Sequence, residues 1–204
     1  DGSEKEYHCT IEEFQEDSAV LHILYAQESQ YELPSRIYLF QGLPKGDKME
    51  LIIQKMTELG VYRIVPVSMK RSVVKLDKKK ADSKVKRWNM ISESAAKQSK
   101  RSIIPEIMPV CTFNEALEMS QQLDVKLLPY ECADGMAKTK KIIENLKGNE
   151  SIGIFIGPEG GYDLDELSKA KEEGWEEITL GKRILRTETA GMMLMSVLMY
   201  MNEK

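Results

Sequence analysis

Two segments in the last third of the chain combine residue types that could do chemistry. Residues 157–161 (GPEGG) follow the apolar stretch 152–156, and residues 180–190 (LGKRILRTETA) come about twenty residues later. Glycines after a strand let the backbone approach a ligand closely. The second segment crowds arginines, threonines and a glutamate at the start of an apolar helix, where free N–H groups favour anions. Because open α/β sheets bind ligands where neighbouring strands end, we expect both segments to face one ligand.

The bare residue patterns leave alternatives open. The glycine-rich segment has neither the GxGxxG spacing of a dinucleotide-binding fold nor the Lys-Ser/Thr pair of a P-loop, and a tight strand-to-helix turn would also explain it. Glu188 suits the positive end of a helix dipole by itself. Arg183 and Arg186 do not, and they need an anion nearby, supplied by a ligand, by RNA phosphate or by Glu188.

Histidine and cysteine usage excludes several kinds of site. The two histidines, His8 and His22, lie near the N-terminus, so the body of the chain has no histidine triad and no histidine-rich metal site. The cysteines are Cys9, Cys111 and Cys132. Their odd number and wide spacing argue against disulfides and zinc and favour a reducing compartment. No apolar run reaches the ~18 residues of a membrane span. The sequence predicts a cytoplasmic protein without metal or membrane contact.

Positive charge is concentrated in the middle of the chain. Residues 70–101 hold twelve Lys/Arg and three Asp/Glu, although the whole chain has a formal net charge of −4. Such a concentration is typical of a surface that binds a polyanion, and a solvated, lysine-rich helix is the alternative.

The pattern of elements predicts two parts, residues 1–33 and 34–204. Residues 5–32 read as two β-strands, and we interpret them as the tail of a small β module whose first strands are missing. From residue 36 onward strands and helices alternate, which predicts an α/β domain with a mostly parallel sheet. Capping boxes are predicted at residues 47–50, 112–115 and 163–166. A long basic helix is expected over residues 77–100, and another near 137–147 that ends at Gly148.

The last helix, from about Glu188 to Asn202, is apolar nearly all round, with Met192, Met193 and Met195 among its residues. Such a helix must be buried on most sides. We expect one face to pack on its own sheet and the other on a second subunit, with simple core filling as the alternative.

The segments 157–161 and 180–190, together with the apolar last helix, resemble the RsmE family. These proteins are uridine N3-methyltransferases of the SPOUT superfamily that act on small-subunit ribosomal RNA. Residues 48–60, the Arg71-Ser72 pair and residues 95–101 followed by Pro105 are also similar to this family, in the same order and at similar spacing. The resemblance covers residues 36–204.

The resemblance implies a trefoil knot in the C-terminal part of the sheet and S-adenosylmethionine (SAM) as methyl donor. It also implies a homodimer paired through the last helix, an N-terminal PUA-like β-barrel that helps to bind RNA, and small-subunit (16S) ribosomal RNA or the assembled small subunit as partner. By position, Arg186 is the candidate for stabilising charge on the pyrimidine, and Glu188 or Glu159 for accepting its proton.

The same carry-over assigns the binding residues. The cofactor-binding set is Leu128, Pro129, Tyr130, Glu131, Ile156, Gly157, Pro158, Glu159, Gly160, Gly161, Leu180, Gly181, Ile184, Leu185, Arg186, Thr187, Thr189 and Ala190. The RNA-binding set is Lys70, Arg71, Lys97, Gln98, Lys100 and Arg101. Two other functions stay open: a SPOUT methyltransferase acting on transfer RNA or on a ribose 2′-hydroxyl, and a non-catalytic RNA-binding protein of ribosome assembly.

Overall fold

An antiparallel hairpin opens the part of the chain that the computed structural model describes, residues 5–131 and 135–203. Its strands are β1 (Lys5–Phe14) and β2 (Ala19–Glu28). The turn between them is closed by the amide of Gln15, which donates to the carbonyl of Ser18. Side chains on both faces of the hairpin are exposed, including Phe14 at 76% and Ile11 at 56%. The predicted strands are confirmed, and within the described residues they pair only with each other.

A seven-stranded sheet forms the body of the protein. Its strands are β3 (Arg36–Gly42), β4 (Arg63–Ser68), β5 (Glu106–Ile107), β6 (Cys111–Thr112), β7 (Val125–Pro129), β8 (Ser151–Ile156) and β9 (Glu176–Ile178). They lie in the order β5-β4-β3-β8-β7-β9, with β6 also on β4, and every pairing described in this sheet is parallel. The predicted parallel α/β sheet is therefore confirmed.

Six helices cover the two faces of this sheet in the described part of the chain. They are α1 (Lys48–Glu58), α2 (Lys78–Gln98), α3 (Phe113–Met119), α4 (Met136–Glu144), α5 (Leu164–Glu172) and α6 (Thr187–Asn202). Successive strand residues point to opposite faces. Leu39 and Ile154 therefore join the core under α1 and α6, whereas their neighbours Phe40 and Phe155 join an aromatic core on the other face. Both faces are buried, as a parallel sheet requires.

Two of the three predicted capping boxes are present. Thr112 with Glu115 caps α3, and Asp163 with Glu166 caps α5, each pair exchanging side-chain-to-backbone hydrogen bonds. The prediction of a capping box at residues 47–50 is wrong, because Asp47 makes no side-chain cap hydrogen bond. The carboxylate of Glu50 is instead held by the guanidinium of Arg87, at 2.6 and 2.9 Å. An ion pair between α1 and α2 therefore takes the place of the capping hydrogen bonds expected within α1.

Helix α4 ends earlier than the sequence predicts. It stops at Glu144, with Asn145 as its C-cap, rather than near Gly148. The amides of Lys147 and Gly148 donate to the carboxylate of Glu150, which closes a separate turn before β8. Cys132 lies outside the described residues. Within the described ranges, none of the helices is both long and apolar enough to span a membrane.

Candidate active site

A cavity of about 650 Å³ opens where β7, β8 and β9 end. Its wall consists of residues 129–131, 156–162, 179–181 and 183–187, together with Lys48, Arg71, Leu164 and Ala190. The three loops that follow these strands therefore meet at one site, at the carboxyl edge of the sheet. This is the place at which open α/β sheets bind their ligands.

The glycine-rich loop of residues 157–161 lies closely against the neighbouring chain. A Cβ atom at Gly160 would come within 2.9 Å of the carbonyl oxygen of Arg71 and 3.0 Å of its Cβ, so the loop cannot carry a side chain there without moving. In the loop after β9, Gly181 has a φ of +114°, which a side chain would strain. The conformation of each loop therefore requires glycine, and the glycines of both loops expose backbone groups in the cavity wall.

A chain of hydrogen bonds behind the cavity joins three elements. The hydroxyl of Thr187, at the start of α6, donates to the carbonyl of Gly157 at 2.7 Å. The same hydroxyl accepts from the side-chain amide of Gln41 on β3 at 2.9 Å. Gln41 is fully buried and Thr187 is 6% exposed. This network fixes the first turn of α6 against the end of β8, so the glycine-rich loop and the arginine-containing loop keep a defined spacing.

One ammonium group links two carboxylates at the mouth of the cavity. The Nζ atom of Lys48 lies 2.8 Å from Oε1 of Glu159 and 3.4 Å from Oε2 of Glu188. The amide of Lys45 donates to both oxygens of Glu159, at 3.1 and 3.3 Å. Burial tends to raise the pKa of Glu159, but the hydrogen bonds from Lys48 and from backbone amides outweigh it and hold this pKa below its usual value. Glu159 is therefore an ionised, fixed group at neutral pH.

Arg183 and Arg186 lie in the exposed wall of the same cavity. Neither guanidinium has a hydrogen-bond or ion-pair partner among the residues that the structure describes. Arg186 is also the N-cap residue of α6, where a cation is opposed by the helix dipole. Two unpaired cations beside a helix N-terminus form an environment that favours an anionic ligand.

Comparison with known proteins decides the family. Residues 31–199 match the family described as RNA methyltransferase domain. Ribosomal RNA small subunit methyltransferase E of Bacillus subtilis is 38% identical over 198 residues, which cover 96% of this chain and 77% of that protein. The chain belongs to the RsmE family, the ribosomal RNA small subunit methyltransferases E.

Two further members of the RsmE family support the comparison. The protein of Mesomycoplasma hyopneumoniae is 36% identical over 162 residues, or 79% of this chain and 68% of that one. The Neisseria gonorrhoeae protein, whose crystal structure was determined with bound S-adenosyl methionine, is 32% identical in sequence. Its structure superposes with a TM-score of 0.79 over 95% of this chain and 78% of that chain.

The structure brings all but two of the sequence-predicted cofactor residues to the cavity wall. Leu128 is fully buried one residue below the rim and packs in the aromatic core. Thr189 is exposed in the first turn of α6, outside the lining. Of the proposed catalytic residues, Arg186 and Glu159 line the cavity, whereas Glu188 lies behind Lys48.

The six residues predicted to bind RNA fall into different environments. Arg71 lines the cavity, and Lys70 is held by Asp163 and Asp165 at 2.7 and 2.6 Å. Lys97, Gln98 and Lys100 are exposed around the end of α2. The side chain of Arg101 is only 4% exposed and is paired with Glu32. Because it is buried in this ion pair, Arg101 is not accessible to a phosphate group, and we leave it out of the RNA surface.

Sequence reasoning missed four residues of the cavity wall, Lys48, Tyr162, Leu164 and Thr179, and the buried Gln41 behind it. Lys48 stands first in α1, where a cation is unfavourable unless carboxylates lie near it, and this position was the available signal. Gln41 in an otherwise apolar strand was a similar signal, because a buried amide needs partners. Among the described residues no group of three His, Cys, Asp or Glu side chains is arranged to hold a metal ion.

Proposed function

We propose that this protein transfers a methyl group from SAM to N3 of a uridine in small-subunit (16S) ribosomal RNA. The observation that carries the proposal is the cavity at the ends of β7, β8 and β9, formed by the loops that the RsmE resemblance assigns to the cofactor. Support comes from the family to which the chain belongs and from a relative whose structure contains S-adenosyl methionine.

The residues present fit this cofactor. A cavity of about 650 Å³ is within the range that takes a ligand of this size. Ile156, Leu180 and Leu185 offer an apolar wall for an adenine ring, and the glycine-containing loops offer backbone hydrogen-bonding groups. When bound, SAM supplies a methyl group on an already activated sulfonium centre. The protein is left with the tasks of alignment and charge.

Arg186 is the side chain that we assign to the developing charge. Loss of the N3 proton to water would place negative charge on the pyrimidine edge, and transfer of the methyl group from the sulfonium to N3, which leaves a neutral thioether, would then neutralise that charge. A cation aimed at that charge stabilises the transition state more than the ground state. The Arg186 guanidinium has no described partner and lines the cavity, so it is free to take this position.

RNA phosphates would bind along a surface that begins at the cavity wall and extends to the far end of α1, where α2 ends. The accessible members of the predicted set are Lys70 and Arg71 near the cavity and Lys97, Gln98 and Lys100 at the end of α2. Lys70 is also paired with Asp163 and Asp165. Each phosphate contact adds to the salt dependence of binding. We assign the segment 1–33 to an RNA-binding, PUA-like module and residues 34–204 to the catalytic domain, in a cytoplasmic enzyme that meets ribosomal subunits where they are made.

A homodimer through α6 is part of this proposal. The helix keeps Leu194 and Leu198 in the core of its own domain. Its outward residues remain apolar, with Tyr200 at 79% and Met201 at 46% exposure. A second copy of the helix would cover this surface. The trefoil knot stays a prediction from the resemblance.

The experiment that tests the proposal measures binding and chemistry separately. Calorimetric titration with SAM should show one site per chain, and Gly160→Ala should weaken binding at least tenfold, because its Cβ would displace the loop from Arg71. Met90→Ala, an exposed position on α2, is the control and should bind as the native protein does. Binding without methyl transfer to small-subunit particles would favour the non-catalytic assembly protein. Transfer to transfer RNA or to a ribose would favour the other enzyme.

A further inference from the structure

Lys48 occupies an electrostatically unfavourable place that only its contacts explain. It is the first residue of α1, where the helix dipole opposes a cation, and Asp47 before it makes no side-chain cap hydrogen bond. Its ammonium lies between Glu159 of the glycine-rich loop and Glu188 of α6. Three segments that are far apart in sequence therefore meet at one nitrogen atom.

The two carboxylates are bound in different ways. Glu159 is tied by the Lys48 ammonium and by the Lys45 amide, so both of its oxygens accept hydrogen bonds. Oε2 of Glu188 is buried and accepts no hydrogen bond, and its link to the Lys48 ammonium at 3.4 Å is electrostatic. Glu188 does not line the cavity, whereas Lys48 and Glu159 do.

We propose that Lys48 is a positioning residue that fixes the glycine-rich loop to the start of α6, and that Glu159 and Glu188 hold Lys48 rather than accept the proton of the target base. The inference rests on the proposed function for the identity of the reaction. It adds a role for Lys48, which the list of residues in the cavity wall does not give.

The geometry separates this arrangement from a general base. A base needs a carboxylate oxygen that can reach the substrate proton within hydrogen-bonding distance. Glu159 lines the cavity, but the Lys48 ammonium and the Lys45 amide hold its carboxylate in place and keep its pKa low, which makes it a poor proton acceptor. Glu188 does not line the cavity. Removing Lys48 would leave Glu159 held only by the Lys45 amide and would leave two carboxylates near each other without a shared cation. Gly157 would stay joined to Thr187, but the part of the loop from Glu159 onward would lose its link to α6.

The test compares Lys48→Met with Lys48→Arg, and uses Lys55→Met as a control on the same helix. Lys55 pairs with Glu58 at 2.9 Å, at the other end of α1 from the cavity. Hydrogen exchange of peptides over residues 157–162, measured without SAM, reports the loop directly. We expect faster exchange in Lys48→Met, near-native exchange in Lys48→Arg because its guanidinium can still reach both carboxylates, and native exchange in the control.

Cofactor affinity and turnover provide the second readout. Lys48→Met should raise the SAM dissociation constant roughly tenfold to a hundredfold, because the loop loses a hydrogen bond between charged groups. At saturating SAM its kcat should stay within about tenfold of native, and Lys48→Arg should restore affinity. Glu159→Gln and Glu188→Gln should likewise keep kcat within about tenfold, with the acid limb of the pH–rate profile unchanged.

Two results would overturn the inference. One is native loop exchange and native SAM affinity in Lys48→Met. The other is a kcat loss of about 10²–10⁴ in Glu159→Gln or Glu188→Gln at saturating SAM, which is the effect of removing a general base. If the native protein transfers no methyl group at all, the proposed function fails, yet loop exchange and SAM binding still decide the role of Lys48.

Discussion

Replacing Arg101 by methionine should destabilise the fold severely, although the sequence places this residue in a basic, solvent-facing stretch. Its Nε and Nη2 atoms lie 3.1 and 2.5 Å from Oε2 of Glu32, and Nη1 donates to the carbonyls of Thr57 and Val61 at 3.0 and 2.7 Å. The guanidinium thus joins the segment after the hairpin to the end of α1. Glu32 also accepts from the amides of Ser102 and Ile103.

The size of the expected loss of stability in Arg101→Met follows from the burial of the ion pair. The side chains of Arg101 and Glu32 are 4% and 15% exposed. Removing one partner of a buried ion pair leaves an uncompensated charge and costs about 3–5 kcal/mol. Lys97→Met is the matched control, because Lys97 is 71% exposed and pairs with Glu93 one helical turn away. Such a pair contributes about 0.3–0.5 kcal/mol.

Urea unfolding measures both variants. Trp88 and Trp175 are 4% and 2% exposed, so their fluorescence reports loss of the core. A loss below about 1 kcal/mol in Arg101→Met would refute the assigned role, since it would equal that of a surface pair. RNA binding gives an independent check. Each lost phosphate contact would lower the salt slope of log K by about 0.7–0.9, and we expect no such change from Arg101→Met in the folded fraction.

Three other predictions concern the site, acid stability and assembly. Arg186→Ala should lower kcat about 10²-fold at saturating SAM and RNA while SAM affinity stays near native, because charge stabilisation acts in the transition state; native turnover would exclude this role. A hydrogen bond from Lys70 holds the pKa of Asp163 below its usual 3.8, so its contribution to stability is complete above about pH 4 and is lost as the pH falls further. Between pH 6 and 3 the melting temperature should therefore fall less in Asp163→Asn than in the native protein. An equal fall in both proteins would contradict this role of Asp163. Tyr200→Asp should convert a dimer to monomers in sedimentation velocity without unfolding, since Tyr200 is 79% exposed in one chain; an unchanged dimer would place the interface elsewhere.

Local patterns predicted the fold well where a short segment contains all the information. The boxes at Thr112 and Asp163 depend on residues within one helical turn, and both are present. Asp47 and Glu50 have the same local pattern, but Arg87 from α2 lies close enough to bind Glu50. No periodicity in residues 47–50 reveals that a guanidinium from another helix will compete for the carboxylate.

Burial of charged residues was the main feature that the sequence could not show. Arg101 belongs to a run of lysines and arginines, and only the tertiary structure places it beside Glu32, whose position in the chain is 69 residues away. Lys48 shows the same limit within the site. Its two carboxylate partners are on the glycine-rich loop and on α6, and only the parallel crossovers bring those segments next to α1.

The most direct test of the function is methyl transfer with identification of the product. Small-subunit particles are incubated with the protein and labelled SAM, the ribosomal RNA is digested, and the labelled nucleoside is identified by mass spectrometry. We expect 3-methyluridine from 16S ribosomal RNA, with Arg186→Ala slow under the same conditions. A label on a ribose hydroxyl or on another base, or SAM bound without any transfer, would contradict the proposed reaction.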